Sequence, residues 1–410
     1  MERLTTVFHH LNGSGQSLST REVAALPAYR RKADDIVVVS ALRTPITRAK
    51  RGSFKDSYID DLLAAVFQGV LAETGLKATD IQDICVGNVG EGKTSVLARM
   101  AQFYSGMPDT IPVYSTNRQC ASGLQAFMNV AGSLRTGQCD IGIAAGVEIM
   151  TRNPLGGGKF DLNPRVQESQ QAQDSLLPMG ITSENVAERF GVTRRKQDEF
   201  ALSSQQKAAK AAASGLFDAE ILPVTVSVED AGGQTKKITV SKDEGIRPTT
   251  MEGLSKLRNS SQVSDGAAAV VVTTRQEAAR RGLPILGVLR SFAVVGVPPD
   301  IMGVGPAYAI PEALKKAGLT INDIDIYEIN EAFASQAVYC VEKLGIPIEK
   351  VNPKGGAIAL GHPVGCTGAR MIATLLHELK RRGKRGMGVV SMCMGTGMGA
   401  AAVFEYPGVN

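Results

Sequence analysis

The sequence predicts an α/β fold made of two similar halves, and three observations carry that prediction. Short apolar strand patterns alternate with helical ones between glycine-rich turns, the order that βαβ units produce. Residues 72–81 read A-E-T-G-L-K-A-T-D-I and residues 315–324 read K-K-A-G-L-T-I-N-D-I, so Gly75, Leu76, Asp80 and Ile81 recur as Gly318, Leu319, Asp323 and Ile324. At nearly the same offset, Cys120-Ala-Ser-Gly is echoed by Cys366-Thr-Gly-Ala, each opening a helical stretch. Two echoes at almost one offset make duplication the economical reading.

Each element follows from its own pattern. Residues 1–33 are rich in Ser, Gly and Arg without a sustained apolar period, and stand apart from the folded body. They lack the continuous apolar stretch of a secretory signal, and Glu2 and Glu22 fit a mitochondrial presequence poorly. The first strand is the apolar run 35–40. Both echoed segments predict a helix ending at a glycine cap, a turn, and then a strand. Residues 81–86 predict a strand, 96–104 and 124–134 helices, and 267–273 a strand. In the second half, 325–329 predict a strand, 371–381 an amphipathic helix, and 389 onward another strand. Residues 151–257 have no counterpart in the second half. They predict polar helices at 183–190 and 195–214 and a hairpin of 224–228 with 238–240, turning at Gly232-Gly233. The organisation is therefore a first half (34–150 and 258–282), an inserted functional domain (151–257) and a second half (283–410).

Composition removes several functions. A net charge of +5, from 45 basic and 40 acidic residues, is modest and dispersed, which argues against nucleic acid as a partner. No apolar run is long enough to span a membrane. The six cysteines lack C-x-x-C spacing, so neither a disulfide framework nor a zinc site is expected, and no metal is assigned. Glycine is abundant, 44 in 410 residues against an average of about 7%.

Three glycine-flanked segments carry reactive side chains. Asn117-Arg-Gln-Cys120-Ala-Ser-Gly123 places a thiol at a helix N-terminus, where aligned peptide dipoles favour the thiolate. Gly355-Gly-Ala-Ile-Ala-Leu-Gly-His362-Pro-Val-Gly365 holds a histidine in a turn open to close approach, and Val389-Val-Ser-Met-Cys393-Met-Gly395-Thr-Gly-Met-Gly399 carries a second thiol. Asn330-Glu-Ala-Phe333 adds a polar group at a strand end, where ligands collect in α/β sheets. A competing motif, Gly87-Asn-Val-Gly-Glu-Gly92-Lys93-Thr94, matches the phosphate-binding pattern G-x-x-x-x-G-K-[ST] between a strand and a helix.

These four ordered segments resemble those of the thiolases, and the likeness covers nearly the whole chain, including Pro178-Met-Gly-Ile-Thr-Ser-Glu-Asn-Val-Ala187 in the insertion. The resemblance implies two βαβ-type halves stacked as αβαβα layers, with a loop domain that binds coenzyme A. It implies coenzyme A-dependent cleavage of a 3-ketoacyl-CoA to acetyl-CoA and a shortened acyl-CoA, the last step of fatty-acid β-oxidation, with coenzyme A as substrate and no cofactor. Cys120 is then the nucleophile and His362 its base. Cys393 acts as acid and then as base, and Asn330 holds a water beside the enolate. The amides of Cys120 and Gly395 form the oxyanion hole. Met179 would line the acyl pocket, Ser261 would touch pantetheine, and Lys236, Lys237 and Arg247 are candidates for the coenzyme A phosphates. Cys85, Cys139, Cys340 and Cys366 read as structural, and His377 as surface or packing. Pro178, where the biosynthetic acetoacetyl-CoA enzymes usually have histidine, favours the degradative type over that alternative. Arg3-Leu4 followed by His10-Leu11 is similar to the peroxisomal import signal of these enzymes, which implies an import receptor as partner and the peroxisome as destination. A homodimer is expected.

One departure is serious. Thiolases usually place about a dozen residues just before the Asn of the N-S-S segment, whereas here Leu257-Arg258 runs directly into Asn259. That gap supports a second possibility, an impaired thiolase-fold protein.

Overall fold

A computed structural model of the chain describes residues 29, 31–154, 161–230, 232–255 and 260–408. The chain divides into two compact units, residues 1–31 and 32–410, and every element below belongs to the second. The import segment Arg3, Leu4, His10 and Leu11 lies outside the described residues, as does the Leu257–Asn259 junction.

The first half contains strands β1 (Ile36–Arg43), β2 (Thr47–Arg48), β3 (Asp83–Gly87), β4 (Val113–Thr116), β5 (Ile141–Ile149) and, after the insertion, β8 (Ser264–Thr274). Its longer helices are α1 (Ile59–Thr74), α2 (Thr94–Tyr104) and α3 (Ser122–Arg135). The insertion contributes α4 (Met179–Phe190), α5 (Arg194–Ala213) and the hairpin β6 (Val224–Glu229) with β7 (Thr235–Val240). The second half holds β9 (Gly287–Gly296), α6 (Gly305–Ala317), β10 (Ile326–Ile329), α7 (Ala334–Leu344), α8 (Val364–Arg381), β11 (Gly386–Met394) and β12 (Met398–Tyr406).

The duplication is visible in the sheet. Its order is β10-β11-β12-β9-β1-β8-β5-β3-β4. Outward from the centre, β1-β8-β5-β3 and β9-β12-β11-β10 repeat the same sequence of antiparallel, antiparallel and parallel pairings. Even the register repeats: Asp83 pairs with Gly142 as Ile326 pairs with Gly388. The echoed caps repeat too, since Gly75 (φ 69°) and Gly318 (φ 66°) both take the left-handed conformation that ends a helix. Within the sheet, the described strands of the two halves pair where Val37 and Val38 meet Val288 and Gly287.

Alternation along the strands sorts the layers. On β8, Ala268, Val270 and Val272 face a core shared with Leu124 and Phe127 of α3, Ile372 and Leu375 of α8, and Val390 and Phe404 of β11 and β12. Ala267, Ala269 and Val271 face the opposite side, with Leu62 and Phe67 of α1. Helices α3 and α8 are thus the middle layer, covered on both sides by strands, while α1 and α2 cover one half outside and α6 the other. The Phe127–Phe404 ring pair, 5.4 Å between centroids, links the middle layer to the second half and adds about 0.5–1.5 kcal/mol beyond its buried area. His377, on α8, is buried and its Nε2 donates to the Ala41 carbonyl at 3.0 Å, so packing is its role.

Candidate active site

The middle layer brings the reactive segments together. Helix α3 starts just after Cys120, and α8 starts just after His362. The two helices approach so closely that a Cβ on Gly368 would lie 2.2 Å from the Leu124 nitrogen, and one on Gly123 2.7 Å from the Gly365 carbonyl. Only glycine permits that crossing. It sets the two helix starts, and the loops feeding them, side by side.

Cys120 sits in a tight turn. The Ser122 hydroxyl donates to the Gln119 carbonyl at 2.6 Å and accepts from the Arg118 amide at 2.9 Å. Gln119 is held at φ 49° and Thr396, next to Gly395, at φ 67°. Non-glycine residues in the left-handed region store strain that tends to collect at functional sites. The amides of Gly395 and of Cys120 itself both hydrogen-bond the Cys120 sulfur. The helix-terminus argument predicts a lowered thiol pKa, and the structure corrects it. Burial pushes the thiol up to about 11, outweighing those two amides, with the Glu148 charge adding to the rise. The resting group is a neutral thiol.

His362 is buried, and its Nδ1 lies 2.6 Å from Thr367 Oγ1. That hydroxyl donates to the Pro363 carbonyl at 3.1 Å, so it accepts from Nδ1–H and leaves Nε2 unprotonated, as an acceptor. Asn330 Nδ2 donates to Nε2 at 3.3 Å. Burial, reinforced by the Arg370 charge, pushes His362 down to about 3. The imidazole is neutral and able to accept a proton. Asn330 ends β10, its amide bonded to the Ser391 carbonyl at 2.9 Å, and its side-chain Oδ1 is buried without a hydrogen-bond partner. Cys393 lies on β11, one residue before its end, and packs with Met302, Ala332, Met179 and Phe333. Burial raises its thiol well above the ordinary value, and the nearby Cys120 raises it further.

The substrate-side candidates fall into three places. Met179 joins the Cys393 cluster, and the Ser261 amide donates to the Ala332 carbonyl at 2.9 Å, beside Asn330. Arg247 lines a cavity of about 560 Å³ in the inserted domain with Gln205, Thr249, Thr250 and Gly253. Lys236 and Lys237 are exposed on β7, in a hairpin whose apolar side joins the α1 layer. The structure does not bring them to the four reactive side chains.

The phosphate-binding reading of 87–94 is overturned. The segment does link a strand to a helix, but Val89 and Gly90 donate their amides to the Glu148 carboxylate at 3.1 and 2.9 Å. The Glu91 amide is taken by Asn88 Oδ1 at 2.8 Å, and that of Lys93 by Glu91 Oε1 at 2.8 Å. The loop is closed around an internal carboxylate. The remaining thiols, Cys85, Cys139, Cys340 and Cys366, are buried and pushed up to about 12 by burial, which makes them inert. Sequence reasoning missed Thr367, which fixes the histidine tautomer, and Glu148. Neither stands in a recognisable motif.

Comparison with known proteins agrees with this fold. Residues 36–276 match the thiolase N-terminal domain and 283–406 the thiolase C-terminal domain. The chain is 62% identical to peroxisomal 3-ketoacyl-CoA thiolase A of Mus musculus, with all of both chains covered, and 59% identical to the peroxisomal 3-ketoacyl-CoA thiolase of Homo sapiens with the same coverage. Among solved structures, the dimeric peroxisomal thiolase of Saccharomyces cerevisiae superposes with a TM-score of 0.84 at 47% identity, covering 92% of this chain and 98% of that one.

Proposed function

The chain belongs to the thiolase family, and on that premise we propose that it is a peroxisomal enzyme cleaving 3-ketoacyl-CoA with coenzyme A. The observation that supports the reading is the close crossing of α3 and α8, which sets the helix start after Cys120 beside the helix start after a neutral His362.

His362 Nε2 takes the Cys120 proton, and the sulfur attacks the 3-keto carbon. The amides of Cys120 and Gly395 stabilise the oxyanion. The C2–C3 bond breaks, leaving the acyl group on Cys120 and an acetyl-CoA enolate. Protonated His362 and a water accepted by Asn330 Oδ1 face that enolate, and Cys393 protonates its C2. Cys393 then takes the proton of incoming coenzyme A, whose thiolate attacks the thioester and frees the Cys120 thiolate, to which His362 returns its proton. Coenzyme A is substrate, and no other group is needed. Met179 and Ser261 border the acyl and pantetheine path. Arg247 lies at the loop-domain cavity, while Lys236 and Lys237 could meet only the far, phosphate end of the ligand. Arg3, Leu4, His10 and Leu11 present the import signal to its receptor.

The functional assembly is a homodimer. Strand β4 is one of the two edges of the sheet, and α2 beside it exposes Val96, Met100, Phe103 and Tyr104 at helical spacing. An open edge next to an apolar helix face suits a second copy.

Purified protein should cleave acetoacetyl-CoA and a long-chain 3-ketoacyl-CoA, and Cys120→Ala should abolish both activities. Turnover surviving that change contradicts the mechanism. One observation favours the impaired alternative: alignments to the mammalian relatives run over 424 residues against 410 in this chain. A folded but inactive wild-type protein would establish it.

A further inference from the structure

Glu148, at the end of β5, is fully buried, and the mechanism above does not use it. Its Oε1 accepts from the Gly90 amide at 2.9 Å and Asn88 Nδ2 at 3.2 Å, and its Oε2 from the Val89 amide at 3.1 Å and the Gly365 amide at 3.0 Å. All four partners are donors, so the arrangement suits a carboxylate and no other group. Three of them lie in the loop after β3, in the first half. The fourth is the second residue of α8, in the other half, three residues beyond His362. The space is built for this contact, since a Cβ on Gly365 would meet Glu148 Oε2 at 2.8 Å and one on Gly90 would meet Oε1 at 2.9 Å.

We propose that Glu148 is a positioning residue of this site: its carboxylate pins the start of α8, and with it His362, to the loop after β3, while its charge adds to the burial that holds Cys120 as a thiol until His362 takes the proton. The proposal rests on the acyl-transfer reading. Charge and geometry act together here. A carboxylate at the N-terminus of α8 complements its unpaired amides, and the same charge opposes a second anion on Cys120. The titratable and charged groups on the surrounding elements are Glu91 and Lys93 in the loop, Cys120 before α3, His362, Cys366 and Arg370 at α8, and Asp265 on β8. Of these, Cys120 and Cys366 both have their thiols raised by the Glu148 charge. Burial, against the four donors, pushes Glu148 itself up to about 7. Protonation sets an O–H against an N–H, and the clamp loosens as pH falls through that value.

The test compares wild type with Glu148→Gln and Glu148→Asp, reading thiolysis kinetics from pH 6 to 8 and alkylation of Cys120 by iodoacetamide at pH 8. For Glu148→Gln, kcat should fall about ten-fold or more with KM changed less than about two-fold. Cys120 should alkylate about three-fold faster once the neighbouring charge is gone. Wild-type kcat should drop on the acid side with a midpoint near pH 7, and Glu148→Gln should lack that limb. Glu148→Asp keeps the charge but shortens the reach, so it should lose kcat without faster alkylation. An unchanged kcat with an unchanged acid limb in Glu148→Gln overturns the proposal, as does an unchanged alkylation rate. Should the variants fail to fold, a level wild-type kcat between pH 6 and 8 overturns it too. Absence of thiolysis in wild type defeats the functional reading instead, and alkylation then decides this proposal alone.

Discussion

Cys120 and His362 are both neutral at rest, because burial moves the thiol up to about 11 and the imidazole down to about 3. The thiolate therefore forms as substrate arrives. Iodoacetamide alkylation of Cys120 should keep rising from pH 7 to pH 10, and a plateau reached by pH 7 would reveal a preformed ion pair. Thr367 matters as the acceptor for His362 Nδ1–H. Replacing it with valine keeps the shape but strands a buried donor, at a cost of about 1–3 kcal/mol. Loss of the fixed tautomer should lower kcat about ten- to one-hundred-fold, measured beside the unfolding temperature to separate chemistry from stability. The reactive residues were legible because each stands in a short glycine-flanked segment. The thiol's protonation state was not, because dipole reasoning is local whereas burial depends on everything folded around the sulfur. Glu148 was invisible for a related reason, since its partners come together only when the halves meet, whereas Thr367 lies one helical turn from His362 in a stretch that no motif marks.

Helices α3 and α8 carry the site because they cross in the middle layer with backbone nearly touching backbone. Gly368→Ala puts a methyl against the Leu124 nitrogen and should destabilise the fold by about 1–3 kcal/mol. The urea midpoint measures this, and a neutral result would mean the helices sit further apart. Most elements were readable from periodicity and from the internal echo, whose caps, turns and pairing registers recur in the sheet. What the echo could not supply was the layer order. Nothing local in the strand 35–40 announces that β1 pairs with β9 through only Val37 and Val38. Nor does helix 371–381 reveal burial on nearly every side, since its charged end reads as an amphipathic surface.

Across the whole molecule, one buried charge cluster fastens the inserted domain to both halves. Glu220 takes Arg43 at 2.8 Å and Lys354 at 3.0 Å, and Arg43 also pairs with Asp243 at 2.7 Å. Against the cost of burial, the Lys354, Arg43 and His377 charges hold Glu220 down to about 2. Its folded value lies below the ordinary value of about 4.5, so the stability it lends is complete above that pH and disappears as pH falls toward 2. Glu220→Ala strands the buried Lys354 and leaves Arg43 with Asp243 alone, and should cost about 3–5 kcal/mol at pH 7, read by denaturant unfolding. An effect below 1 kcal/mol, on the scale of exposed pairs, would contradict the fastening role. For the dimer, Met100→Asp with Phe103→Asp should shift sedimentation from dimer to monomer, and an unmoved dimer would place the interface elsewhere.

In this mechanism the acyl group passes through Cys120. Acid quenching of the enzyme with a 3-ketoacyl-CoA, before coenzyme A is added, followed by peptide mass spectrometry, reads that step. An acyl mass is expected on the peptide containing Cys120, absent in Cys120→Ala. An active enzyme that carries the acyl group on Cys393, or on no cysteine at all, would contradict it.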